Sequence, residues 1–431
     1  SRRSWKMVYK HQIKGEMEME KLAIYGGSPV RKSPMPARIM FDEEEKQAAM
    51  RVIEKTMTGN QALDRYGGIE VDEYEKEFAQ FFGRKFATAV SSGTAAIHSA
   101  LASLHLEPAS EVITSPITDP GAVMPIVFQQ CIPVFCDVDY HTLNPSPQSV
   151  EENITEKTGA IIVVHIAGFP SRIDEICKIA QKHKIPVIED CAQAHGAKFK
   201  GKYAGTFGTL SAFSLMSGKH TTSGGQGGMV LTDDEDLYWD AKRFADRGKP
   251  FNSNETTNLF AGLNYRMTEL EAAIGRQQLK KMLAIAEKRR KIYIQIKQGF
   301  ENELKAFRIH LAEPESEPNP WFLFVHVEKE KLRVSNEILA KAISAEGIPV
   351  GQKYVVPMYQ ARWIIDKRTF GTSQLPWSLP QARKVDYNHA CPVAEKALED
   401  HMTLGIHEGY EDKEICDIID AFKKVEKYFL R

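Results

Sequence analysis

Between about residue 22 and residue 230 the chain alternates between short apolar runs of strand length and segments of helical period, and this alternation limits the fold more than any other feature. Residues 71–82 read as a helix, 86–90 as a strand and 94–104 as a helix. Strands at 111–114 and 132–135 flank a helical 121–129, and a strand at 160–164, a helix at 173–183 and a strand at 185–188 follow. Strands that take turns with helices argue for an α/β fold with a mostly parallel central sheet covered on both faces.

Residues 267–304 keep a helical period with dense Lys, Arg and Glu and no proline, which predicts one long helix leading out of the first unit. The run Pro314-Glu-Ser-Glu-Pro-Asn-Pro320 has linker composition. Beyond it come an expected strand at 321–327 and helices at 336–345 and near 413–428, while the polar stretch 366–380 reads as a mobile loop. A chain of 431 residues can hold two domains. The expected division is an N-terminal extension (1–21), a large domain (22–290) and a smaller α/β C-terminal domain (291–431).

Charge excludes some partners. The chain carries 56 Lys plus Arg against 57 Asp plus Glu with no basic block, so no nucleic-acid partner is expected. Its apolar stretches are far shorter than the roughly 20 residues of a membrane span, so no membrane partner is expected either. The polar start lacks the apolar core of a secretory signal. Six cysteines show neither Cys-x-x-Cys nor metal-type spacing, which predicts buried reduced thiols, a cytoplasmic location and no metal site.

Three segments carry chemistry. Ser91-Ser92-Gly93-Thr94-Ala95-Ala96 follows a strand and opens a helix, so free backbone N–H groups and the helix dipole would face an anion. A simple N-capped turn would have the same composition. Ile185-Pro-Val-Ile-Glu189-Asp190 is an apolar strand ending in carboxylates, where ligands of open α/β sheets bind. Strand alternation sends Glu189 and Asp190 to opposite sides. The third segment, Phe213-Ser214-Leu-Met-Ser-Gly-Lys219-His220-Thr-Thr, precedes Gly224-Gly225-Gln226-Gly227-Gly228, a setting unlike an exposed helix. A lysine to bind the cofactor covalently and a strand-end aspartate to keep its ring nitrogen protonated are the two protein groups that pyridoxal phosphate (PLP) requires.

Together with Leu22-Ala-Ile-Tyr-Gly-Gly-Ser-Pro-Val-Arg31, Gln193-Ala-His-Gly196, Gly262-Leu-Asn264-Tyr-Arg266-Met267 and Cys391-Pro-Val-Ala-Glu395, these segments resemble the DegT/StrS-type sugar aminotransferase family from about residue 22 to the C-terminus. The resemblance implies a fold-type-I PLP-dependent transferase, usually a homodimer, that takes an amino group from glutamate or glutamine to a keto-sugar or keto-cyclitol. It implies that Lys219 carries the cofactor and moves the proton, that Asp190 pairs with the ring nitrogen, and that Gln193 bonds the ring hydroxyl. It also implies that Gly93, Thr94, Ala95 and Ser214 hold the phosphate, and that Asn264 reaches the phosphate of the neighbouring subunit.

Two positions depart from that pattern. Asp119, in Pro116-Ile-Thr118-Asp119, stands where an aromatic residue commonly stacks on the ring. Gln226 stands where glutamate is usual, with one extra residue after the lysine. Some relatives carry histidine in place of the lysine and dehydrate sugars, and Lys219 argues for transamination. His165 is a candidate ring neighbour or a core histidine, and Tyr354, His389 and His407 are candidates for the acceptor pocket. A PLP-dependent sugar dehydratase or lyase and a non-catalytic regulatory relative stand as alternatives. A dinucleotide-binding oxidoreductase does not, because no Gly-x-Gly-x-x-Gly follows the first strand.

Overall fold

The computed structural model describes residues 20–59, 63–66 and 68–431, so most of the expected N-terminal extension lies outside the described residues. A seven-stranded sheet runs, edge to edge, through Phe86–Val90, Gly228–Thr232, Leu210–Ser214, Val187–Asp190, Thr158–Val164, Glu111–Thr114 and Ile132–Phe135. Only Gly228–Thr232 runs against the rest, pairing antiparallel with the strands on both sides of it. The expected mostly parallel sheet is therefore present.

Its strands are buried along nearly their whole length, because helices cover both faces. Val187–Asp190 lies two residues later than the apolar run predicts. Its parallel pairing sets Val163 opposite Glu189 and Val164 opposite Asp190, which draws the two acids into the strand. Hydropathy alone does not read carboxylates as strand.

A second, four-stranded sheet in the order Phe307–Ile309, Phe322–Val327, His401–Gly405, Val350–Gly351 is antiparallel throughout. The helix Glu269–Glu303 joins the two sheets. It opens on a capping box in which Thr268 and Glu271 satisfy each other's backbone N–H groups. At 35 residues it is about 50 Å long, and its inner face (Leu279, Met282, Ala286, Ile292, Ile296, Phe300) is buried. Periodicity predicts it within two residues at each end.

The helix Glu43–Met57 is absent from the sequence reading for a physical reason. Its buried face consists of Glu45, Ala48 and Val52, and Glu45 is compensated by Gln278 and Lys281 of the long helix. A stripe made of an acid and an alanine leaves little hydrophobic period. No helix among the described residues is long and apolar enough to cross a membrane.

Glu189 shows how the sheet spaces its two carboxylates. Fully buried, it accepts the N–H groups of Gly205, Phe207 and Gly208 at 2.6–2.8 Å and faces His165 Nε2 at 3.0 Å. Burial pushes its pKa up, but His165 and the backbone donors outweigh that, so the carboxyl sits below its ordinary range. Its stabilisation is therefore present above the ordinary carboxylate pKa and is lost as the pH falls through the lower folded value. Glu189→Ala, which leaves these donors unpaired, is expected to lower unfolding stability by about 3–5 kcal/mol in urea denaturation at neutral pH, with the difference shrinking in acid.

Candidate functional site

The site is built on the carboxyl edge of the seven-stranded sheet. The strand Leu210–Ser214 continues into a closed loop in which Leu215 N–H donates to Gly227 O, Ser217 N–H to Gly225 O and Thr222 Oγ1 to Leu215 O. Gly228, where the chain re-enters the sheet, touches the turn before the helix Gly93–Ala102 so closely that a Cβ there would stand 2.1 Å from the Ser92 carbonyl oxygen. The glycine run thus lets the lysine loop close against the anion-type turn.

Lys219 sits within this loop, 8 % exposed. Burial pushes its ammonium down to about 8, against the opposing pull of Asp190 and Asp119. Its Nζ lies 3.7 Å from the ring centroid of Trp321, whose Nε1 donates to the Gly218 carbonyl at 2.8 Å. The indole face and the two acids favour the charged amine and burial favours the neutral one, so both forms are accessible near neutral pH.

Asp190 ends the neighbouring strand, opposite Ala212. One carboxylate oxygen accepts the Ala192 N–H at 3.0 Å, and the other has no hydrogen-bond partner among the described residues. Burial raises the pKa of this carboxyl, and Asp119 adds to the rise against the Ala192 N–H and Lys219. Gln193 is also buried. Its Oε1 accepts the Ala167 N–H at 2.7 Å and its Nε2 donates to Tyr354 Oη at 3.1 Å, so it is oriented from both ends. Tyr354, a candidate for the acceptor pocket, therefore stands beside Gln193, and its hydroxyl is pushed up to about 12 by burial, with Asp119 and Asp190 adding.

The helix Gly93–Ala102 starts at the end of the first strand, as its sequence predicts. Ser92 caps it, accepting the Ala95 N–H at 3.0 Å. The Ala95 N–H is thus occupied by the cap, while those of Gly93 and Thr94 have no hydrogen-bond partner among the described residues. A Cβ on Gly93 would lie 2.5 Å from Ser214 Cβ, so the turn and the lysine strand meet side by side. Asp119 is exposed and accepts the Gly121 N–H at 2.8 Å, and Gly121 in turn approaches Thr94 Oγ1.

Other candidates fall elsewhere. Both nitrogens of His165 are taken, Nδ1 by the Ser171 N–H and Nε2 by Glu189, so it is a satisfied core histidine. His389 pairs with Glu395, and His407 Nε2 meets the Pro36 carbonyl; neither is bonded to Lys219, Asp190 or Gln193. Asn264 is exposed, with no side-chain hydrogen bond among the described residues, beside Tyr265, whose carbonyl accepts the Ser91 N–H. Gln226 is exposed, and its carbonyl accepts the Ser223 hydroxyl. Sequence reasoning missed Trp321 and Arg38, whose guanidinium donates to the carbonyls of both Lys219 and His220. No local signal marks either residue, since their contacts to the lysine loop span more than a hundred positions.

These residues fit PLP. A buried carboxylate with an unpaired oxygen suits a protonated ring nitrogen, a buried amine of lowered pKa suits covalent attachment, and free N–H groups at a helix start suit a phosphate.

Comparison with known proteins agrees. Residues 42–423 match the sequence profile of the DegT/DnrJ/EryC1/StrS aminotransferase family. The chain is 34 % identical over 302 residues to GDP-perosamine synthase of Escherichia coli O157:H7, covering 69 % of this chain and 80 % of that protein. It is 28 % identical over 429 residues to L-glutamine:2-deoxy-scyllo-inosose aminotransferase of Streptomyces paromomycinus, covering 94 % and 98 %. A solved structure of E. coli GDP-4-keto-6-deoxy-D-mannose-3-dehydratase with bound hydrated PLP superposes with a TM-score of 0.78 at 25 % identity, covering 91 % of this chain and 99 % of that one. The fold is that of the fold-type-I PLP-dependent enzymes, and the chain belongs to the DegT/DnrJ/EryC1/StrS aminotransferase family.

Proposed function

We propose that this protein is a PLP-dependent aminotransferase that moves an amino group from glutamate or glutamine to a keto-sugar or keto-cyclitol. The observation that carries the proposal is the buried Lys219 amine, lowered to about 8, on the same sheet edge as a buried Asp190 with an unpaired oxygen. The acceptor class rests on the similarity to a nucleotide-sugar aminotransferase and a glutamine-dependent cyclitol aminotransferase.

Bound PLP supplies an electron sink that weakens the C–H bond beside the transferred nitrogen. Lys219 Nζ would anchor the cofactor and, as a free amine, would accept the proton from the donor's amine-bearing carbon and later give it back. A pKa of about 8 leaves a usable neutral fraction at neutral pH. Asp190 holds the ring nitrogen protonated, an ion pair that would also lower the carboxyl's own raised pKa. Gln193 Nε2, oriented by Ala167 and Tyr354, bonds the ring hydroxyl. The N–H groups of Gly93 and Thr94, with the Thr94 and Ser214 hydroxyls, bind the phosphate, and Ala95 contributes a small side chain to that turn.

Within this reading, residues 22–290 form the PLP-binding domain and 291–431 the smaller one. The active unit is a homodimer in which Asn264 reaches the partner's phosphate site; its exposed, unbonded side chain supports that role. The six free cysteines support a cytoplasmic location.

Purified protein supplied with PLP is expected to show a visible absorption band that bleaches with glutamate or glutamine and is absent in Lys219→Ala. A band that neither donor bleaches would move the reading to a dehydratase or lyase, and no band would end it. The rate of PLP attachment to the cofactor-free protein should rise about tenfold per pH unit below pH 8 and level off above it, because only the neutral amine attacks. Asp190→Asn should keep the fold but lower turnover by about 10²-fold or more, since an amide cannot hold the ring nitrogen charged.

A further inference from the structure

Three consecutive carbonyls of the lysine loop are held by side chains from distant parts of the chain. Trp321 Nε1 donates to Gly218 O at 2.8 Å, and the two terminal nitrogens of Arg38 donate to Lys219 O and His220 O at 2.6 Å each. A guanidinium is a rigid planar fork with charge-assisted donors, so two short bonds to successive carbonyls fix the peptide between them.

The fork is itself locked. Arg38 Nε pairs with Glu408 Oε1 at 2.8 Å, and Glu408 Oε2 pairs with Arg289 Nε at 2.8 Å. Arg289, on the long helix, is buried and further tied to the carbonyls of Pro320 and Ile406. The chain segment bearing Arg38 is held again two residues away, where His407 Nε2 donates to Pro36 O. The loop after the strand His401–Gly405 therefore grips the segment that grips the lysine.

Resting on the reading of Lys219 given above, we propose that Arg38 is a positioning residue for Lys219, and that Glu408 and Arg289 hold it in place. Lys219's Cα–Cβ direction is then set from outside its own loop, and its amine swings between its rest against Trp321 and the reacting carbon by side-chain rotation alone. The lock passes through Glu408 and Arg289, so the seating of the four-stranded sheet on the long helix sets the reach of the amine. A lysine at position 38 has a single nitrogen in place of the three that meet Lys219 O, His220 O and Glu408, so it would not replace the fork.

The test compares full-length wild type, Arg38→Met, Arg38→Lys and Glu408→Gln, each first freed of PLP. Two quantities are read: the rate at which added PLP becomes attached to Lys219, trapped with borohydride and located by peptide mass, and the pH midpoint of the visible band. Arg38→Met and Arg38→Lys should both attach PLP about tenfold more slowly and move the midpoint by half a unit or more, and Glu408→Gln should fall between them and wild type. Wild-type rates and midpoint in Arg38→Met, or in Glu408→Gln if Arg38→Met does not fold, would overturn the proposal, as would full rescue by Arg38→Lys. Failure of wild type itself to be trapped at Lys219 would instead overturn the reading of Lys219, so the two failures are distinguishable.

Discussion

The site depends on the parallel pairing of Val187–Asp190 with Leu210–Ser214 on one side and Thr158–Val164 on the other. Parallel strands put all their carboxyl ends on one edge. Asp190 ends one strand, the lysine loop leaves the next, and the Ser92–Gly93 turn leaves the first strand, two places further along. Groups from three distant stretches of chain therefore meet without any of them leaving its local element. A one-residue slip of Val187–Asp190 would exchange Glu189 and Asp190 between the two sides of the sheet.

That exchange matters because the two acids have opposite environments. Glu189 is saturated by backbone N–H groups and His165 and is held charged, as a structural anchor. Asp190 keeps an unpaired oxygen and a raised pKa, so it is destabilised as a lone buried anion and suited to a cationic partner. Adjacent acids, both buried, thus take different chemistry from their different hydrogen bonds and neighbouring charges. Lys219 has the complementary balance: burial lowers its pKa while two carboxylates and an indole face keep the charged form accessible.

The long helix Glu269–Glu303 makes these features one unit. Its first half packs under the seven-stranded sheet and its second half carries the four-stranded one, and Arg289 lies between them. The ion-pair chain Arg289–Glu408–Arg38 is enclosed enough for its geometry to matter, with side-chain exposures of 2 %, 14 % and 14 %. Exposed pairs elsewhere on the surface, such as Lys341 with Glu337, add solubility and little else.

Much of this was legible in the sequence, because the legible parts are local. Apolar runs and helical periods mark the central strands and the long helix, period-two alternation separates Glu189 from Asp190, and Ser92 before Gly93-Thr94 marks a capped helix start. The helix Glu43–Met57 was hidden, because its inner face relies on an acid whose compensating cation lies more than two hundred residues away. Only the tertiary structure could decide that Arg38 clamps the carbonyl of Lys219, 181 positions along, or that Trp321 lies against its amine and Tyr354 orients Gln193. Local sequence determines which backbone states and burial patterns are cheap. The choice of partner for a long polar side chain depends on which loops the packed sheets bring within 3 Å, and no local pattern encodes that.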